Sequence, residues 1–432
     1  MDKHLKRGIS AVDLLFLFIF ITPIICFIWI YPESWFGFLI VIATYFIPII
    51  IKPLNNNSRI LISTYIGITI HHFIAFRNGL IAPTFGADKD ASGFFEDASS
   101  LAKYADQLDF SIGSNFYESF LSIIFRYLGD SKFLGSELSV LFFVLSLIFL
   151  CKIVVLIKKE NYLPHVVLLF SCLPTNFLFT SVTLRESYQT FFFILACYLT
   201  LQLIERKTFI KLLQLLITLL LFGALHNGLV SFIPIFLILS LFFSLDGKKI
   251  KFSRGVKFIL FLLCVVITAS SFFVLTQAGF SSKASESVVS GQVFDYSQEY
   301  RDVDNSGGSS YGAQFNSVYS IPVLLINYMF APFPWQIRNA LDLYAALESL
   351  LRFLLIYYAF KEIRKRKRNK EDTKALAFLF LVSIFLEIVW SMGTLNWGTA
   401  LRHHLIAYGI LLVLGIEGLT NSFKRRLYKI YN

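Results

Sequence analysis

Long apolar runs separated by short polar connections recur along the whole 432-residue chain. A run of ~20 apolar residues is what a helix needs to cross ~30 Å of hydrocarbon. On that measure helices are predicted over Leu14–Ile30, Trp35–Ile51, Ile60–Phe76, Leu138–Ile157, Leu163–Ser181 and Ser187–Ile204. Six more are predicted over Phe209–Leu225, Gly228–Leu245, Val256–Leu275, Leu341–Phe360, Leu376–Met392 and Leu401–Leu419. The expected fold is all-α, one polytopic membrane domain over residues 1–432 with about twelve transmembrane helices. Pro174 is expected to kink the fifth helix. The first run has a basic start but no small-residue cleavage site after it, so it is expected to be retained rather than removed as a signal peptide.

Two connections are long: residues 77–137, containing "FGADKDASGFFEDASSLAKYADQLDF", and residues 276–338, containing "SQEYRDVDNSGGSSYGAQF" and "APFPWQIR". Loops of this length are functional or disordered. Their interleaved aromatics argue against a linker, so they are expected to be folded lids.

Charge then orients the chain. With Lys3, Lys6 and Arg7 in the cytoplasm, every other connection carries a basic cluster. These are Lys52 and Arg59; Lys158 and Lys159; Arg206 and Lys207; and Lys248, Lys249, Lys251 and Arg254. The run "KEIRKRKRNKEDTK" and the tail "KRRLYK" fall on the same side. This follows the positive-inside rule, placing both termini in the cytoplasm and both long loops outside. The net charge of +11 is therefore an orientation signal, and no nucleic-acid partner is expected. Only 16% of residues are charged, against ~25% in a soluble domain. Cys26, Cys151, Cys172, Cys197 and Cys264 all lie in apolar segments and read as small buried hydrophobes.

On the outer side the pattern is broken by cations. Arg185, beside Glu186 in "TSVTLRESYQ", and His226 in "GALHNGLV" occupy outer turns. Arg301 lies in the second long loop, Arg338 follows "PFPW", and Arg402 and His403 head the last helix in "NWGTALRHH". Charge there runs against the positive-inside bias, so another selection acts on it. A phosphate-bearing ligand is one such selector, because the planar guanidinium donates bidentately and stays charged when partly dehydrated. The alternative is that each arginine pairs with a nearby carboxylate or reaches the headgroups. Four arginines and a histidine in separate outer turns favour a shared site for lipid-linked pyrophosphate: Arg185, Arg301, Arg338 and Arg402.

Removal of a proton from an incoming hydroxyl calls for a base, and the candidates are His226, His403 and the acidic residues Asp88, Asp90, Glu96 and Asp97. Other polar residues read as structural. Glu348 with Arg352, and Arg338 with Asp342, stand four apart on one helix face. Glu387 is expected to pair with Arg402, a buried proton carrier being the alternative; His71 and His72 are expected to be packed and hydrogen-bonded, with one facing the cavity as the alternative; and His404 is expected to meet lipid headgroups or packing. No GxSxG, HExxH, Walker or GxGxxG motif is present, which disfavours a lipase, a zincin or a nucleotide-driven pump. There is no dense acidic cluster, and neither metal nor cofactor is expected.

The segments "DKDASGFFEDASSLA", "TLRES", "LHNG", "APFPWQIR" and "NWGTALRHH", in this order, resemble the bacterial O-antigen and capsule repeat-unit polymerases (Wzy-type). These are integral-membrane, lipid-dependent glycosyltransferases. The resemblance implies a GT-C-like fold in the bacterial inner membrane with a periplasmic active site. It implies transfer of a growing glycan from undecaprenyl pyrophosphate to an undecaprenyl-pyrophosphate-linked repeat unit. Membrane lipid and a chain-length regulator protein are the further partners it implies. An O-antigen ligase uses the same donor and is the nearest alternative; a lipid-linked oligosaccharide flippase is the alternative of another class. Transporters place charge near the bilayer midplane, so charge at mid-depth would favour that class.

Overall fold

The computed structural model describes residues 18, 26–55, 57–84, 87–105, 107–206, 208–245, 321–394 and 396–431. Most of the predicted span Leu14–Ile30, all of Val256–Leu275, and the second loop up to residue 320 with Arg301 lie outside the described residues. The chain divides into two compact units, residues 1–110 with 114–194, and residues 111–113 with 195–432. Every element given below is helical.

The first unit holds α1 (Trp35–Ile50), α2 (Ser58–Phe76), α3 (Asp88–Tyr104), α4 (Ser114–Leu128), α5 (Lys132–Leu156), α6 (Leu163–Cys172) and α7 (Pro174–Phe179). It also holds the start of α8 (Glu186–Glu205), inside which the division falls. Asn57 and Ser131 supply the caps that start α2 and α5, accepting the amides of Ile60 (2.9 Å) and Leu134 (3.0 Å). α2 packs against α1, α5 and α6. Its His71 ring stacks on Phe143 at 3.6 Å and donates from Nδ1 to the Gly67 carbonyl at 2.8 Å.

The predicted fifth helix is broken rather than kinked. Leu173 is extended (φ −64°, ψ 126°), as the ring of a following proline requires, and Pro174 opens a new helix where its missing N–H costs nothing.

The first long loop is folded. Phe94 of α3 meets Tyr117 near the start of α4 (5.2 Å), whereas Arg126 near the end of α4 reaches the last carbonyls of α3. Phe95 also meets Phe125 near the end of α4 (5.8 Å), so the middle of α3 touches both ends of α4. Arg126 donates to Leu101 (3.1 Å), Ala102 (3.2 Å) and Ala105 (2.8 Å), a basic cap on the negative end of α3.

The second unit holds the end of α8 and then α9 (Phe209–Ala224), α10 (Asn227–Leu245), α11 (Ile321–Phe330), α12 (Ala340–Arg368), α13 (Lys374–Gly393) and α14 (Trp397–Tyr431). α12 and α14 pack most extensively, because at Gly415 a Cβ would collide with the backbone of Leu355. α11 falls inside the predicted second loop and packs on α13, α12 and α14. The basic run after Phe360 continues α12 to Arg368, where Arg366 pairs with Glu362 (2.6 Å).

Seven described helices have the length and apolar composition to cross a membrane, spanning residues 32–50, 58–81, 132–156, 186–205, 340–368, 374–391 and 397–425. This is the architecture of a polytopic helical membrane protein. α9 and α10 are apolar but shorter.

Candidate functional site

In the second unit, helix ends gather the residues of interest. The α9–α10 turn presents His226, whose Nδ1 accepts the Gly228 amide at 3.0 Å. In the neutral ring the hydrogen is therefore on Nε2, which makes that nitrogen a donor. Its ring meets Trp390 of α13 edge-on at 4.7 Å. On Trp390 also lies His403 of α14, stacked at 3.8 Å, with its Nδ1 hydrogen-bonded to Thr394 at 2.8 Å. The two imidazole centroids are 6.1 Å apart. Both histidines are half-buried, as is Arg402 beside His403.

The same end is fastened through Asp342. One carboxylate oxygen accepts the Arg338 backbone amide (3.0 Å), the other the indole N–H of Trp397 (2.8 Å). Asn339 caps α12 and Asn396 caps α14, accepting from Thr399 at 2.7 Å. The expected Arg338–Asp342 contact thus runs through the backbone, and the Arg338 side chain is exposed.

The remaining predicted site residues belong to the first unit, apart from Arg301, which lies outside the described residues. Arg185 stands over the Phe94 ring at 5.5 Å. Its charge also acts on Glu118 of α4, whose carboxyl is raised above the ordinary range by burial first and by Asp97 second, with Arg185 opposing. Arg185 thus has local acidic company. Asp88 opens α3, and Asp90 is exposed on its first turn.

One expectation is corrected inside the second unit. Glu387 bonds to His404, Nδ1 to Oε2 at 2.6 Å, as its ion-pair partner in place of Arg402. His404 is 2% exposed and packed, the second of its two expected surroundings; its Nε2 donates to the Tyr328 carbonyl at 2.9 Å. Nearby, the buried Arg352 donates from Nε to the Met329 carbonyl (3.0 Å) and from Nη2 to Ser349 (3.0 Å). Glu348, expected to face Arg352, accepts from Tyr344 at 2.5 Å. In the first unit His72 is packed and bonded as expected, to Glu137 at 2.7 Å and Thr44 at 2.7 Å.

Sequence reasoning missed Trp390, Thr394 and Trp397 as parts of the helix-end cluster. Trp390 carried a usable signal, a tryptophan one turn from Glu387 near a helix end. Among the described residues no three His, Cys, Asp or Glu side chains are grouped to hold a metal ion. No protein-family model matches the chain, and no curated protein matches it at a significant level.

Proposed function

We propose that this protein is a repeat-unit polymerase of the O-antigen and capsule type, transferring a growing glycan from undecaprenyl pyrophosphate to a lipid-linked repeat unit. The observation that carries this reading is the helix-end cluster of the second unit: two imidazoles on one tryptophan, with Arg402 beside them and an exposed Arg338 before α12. Guanidinium groups fixed at helix ends stabilise the negative charge that develops as pyrophosphate departs. His226, a donor at Nε2, orients an oxygen of the substrate. His403, whose Nδ1 shares a hydrogen bond with the Thr394 hydroxyl, is the base that takes the acceptor hydroxyl's proton. Arg185 and Arg301 retain their sequence-based assignment to pyrophosphate, and Asp88 and Asp90 theirs as candidate bases. On this reading about twelve helices form a GT-C-like fold in the bacterial inner membrane, with both termini cytoplasmic, the site periplasmic, and a chain-length regulator as partner.

A second reading, a transporter of lipid-linked oligosaccharide, is favoured by one observation. Arg352 lies twelve residues into α12, ~18 Å from its start and so near the middle of ~30 Å of hydrocarbon. Buried charge at that depth is what a translocation pathway uses. Gene deletion separates the classes. Loss of the polymerase leaves single repeats attached to the lipid core, and loss of a ligase attaches none. Loss of a flippase leaves lipid-linked repeats on the cytoplasmic face.

A further inference from the structure

Glu387 lies six residues before the end of α13 and His404 seven after the start of α14, each ~10 Å inside its helix end. Tyr328's carbonyl can only accept, so Nε2 of His404 carries a hydrogen. Nδ1 and Glu387 Oε2, at 2.6 Å, need one more hydrogen between them. Either imidazolium faces carboxylate, or neutral imidazole accepts from carboxylic acid. Both arrangements contain the same protons, and only the position of one along the hydrogen bond differs.

The other carboxylate oxygen, Glu387 Oε1, is buried with no protein hydrogen-bond partner. The neighbouring Arg352 is close enough to act electrostatically on His404 and Tyr408, and Glu348 acts on Tyr408 with the opposite sign. The titratable groups around the Glu387–His404 pair come from α11 (Tyr328), α12 (Tyr344, Glu348, Arg352) and α14 (Arg402, His403, Tyr408). α10, which also packs on α13, has none along Asn227–Leu245.

We propose that the Glu387–His404 pair is a proton-carrying site within the membrane-spanning helices. It holds one shared proton at rest and takes a second from hydronium onto Glu387 Oε1, releasing water and leaving imidazolium beside a carboxylic acid. The site is one helical turn from Trp390 and adjoins His403, so it connects to the helix-end cluster along α13 and α14. It rests on neither functional reading: glycan transfer has to dispose of the acceptor hydroxyl's proton, and transport uses a proton as coupling ion.

The first unit holds the same construction. Thr44 donates to the Val41 carbonyl (2.7 Å) and so accepts from His72 Nε2–H, which turns Nδ1 to Glu137 Oε2. Glu137 Oε1 likewise has no partner. It serves as the internal comparison.

The test is infrared and nitrogen NMR spectroscopy of the full chain in lipid nanodiscs, with labelled histidine, as pH is lowered from alkaline to acid. The expected result is a carboxylic-acid band that grows with acid and has a component removed by Glu387→Gln; the component removed by Glu137→Gln is the internal comparison. The His404 nitrogens, identified by their loss in His404→Gln, end in acid with both protonated, as imidazolium. A Glu387→Gln spectrum with the same carboxylic-acid band as the unmodified protein at every pH overturns the proposal. So does a His404 ring that stays neutral down to the lowest pH at which the chain stays folded. The second readout uses the unmodified protein, so it decides the matter if Glu387→Gln does not fold.

Discussion

Arg402 and Arg338 stand at the heads of two packed helices, and only the second has a fully exposed side chain. The clamp reading assigns them the charge of departing pyrophosphate. Arg402→Ala and Arg338→Ala are each expected to lower chain extension about 100-fold at unchanged protein level, read from polymer length in cells. Arg402→Lys is expected to recover little, since an ammonium cannot reproduce the planar fork. The arginines and histidines of this cluster were legible in the sequence because charge beside an apolar run stands out. Glu387 and His404 were legible as anomalies but not as partners. Their pairing depends on which face of α14 turns inward, and α14 is buried almost all round from His404 to Ile416, so it has no polar stripe to read.

Elements differ in how far periodicity could find them. The long apolar helices were visible, and the break at Leu173–Pro174 carried its own signal. α11 was hidden because ten apolar residues are too few for a span and lie in a connection otherwise read as polar. The packing of α3 on α4 was hidden too, since it is set by Arg126 and by Phe94 meeting Tyr117 rather than by either helix's own pattern. That pair is also held at Asp130, which accepts from Ser99 (2.6 Å) and Lys103 (2.5 Å). Burial raises the Asp130 carboxyl, but these two donors outweigh it and hold it below the ordinary value. A depressed carboxyl adds stability above its unfolded value and loses it as pH falls through the folded one. Hydrogen-exchange protection factors in α3 and α4 are therefore expected to fall in acid below the ordinary aspartate range, and to fall less in Asp130→Asn. Salt should weaken the same fastening, because Lys103 is exposed. Between α12 and α14 the constraint is steric. Gly415→Val is expected to cost about 1–3 kcal/mol, seen as a lower thermal midpoint in detergent, as its side chain meets the Leu355 backbone.

At the scale of the whole molecule, seven long apolar helices among the described residues establish a polytopic membrane protein, while the proposed chemistry rests on the helix ends of the second unit. Arg352, Glu387 and His404 add charge deeper in the helices, which a transferase can use for proton handling and a transporter for its cargo. Enzymatic turnover distinguishes these uses. The most direct measurement incubates the purified chain with undecaprenyl-pyrophosphate-linked repeat units, without nucleotide, and resolves the products by size. The account predicts a ladder of glycans that is lost in Arg402→Ala. Repeat units that stay single with the folded, unmodified protein would contradict it.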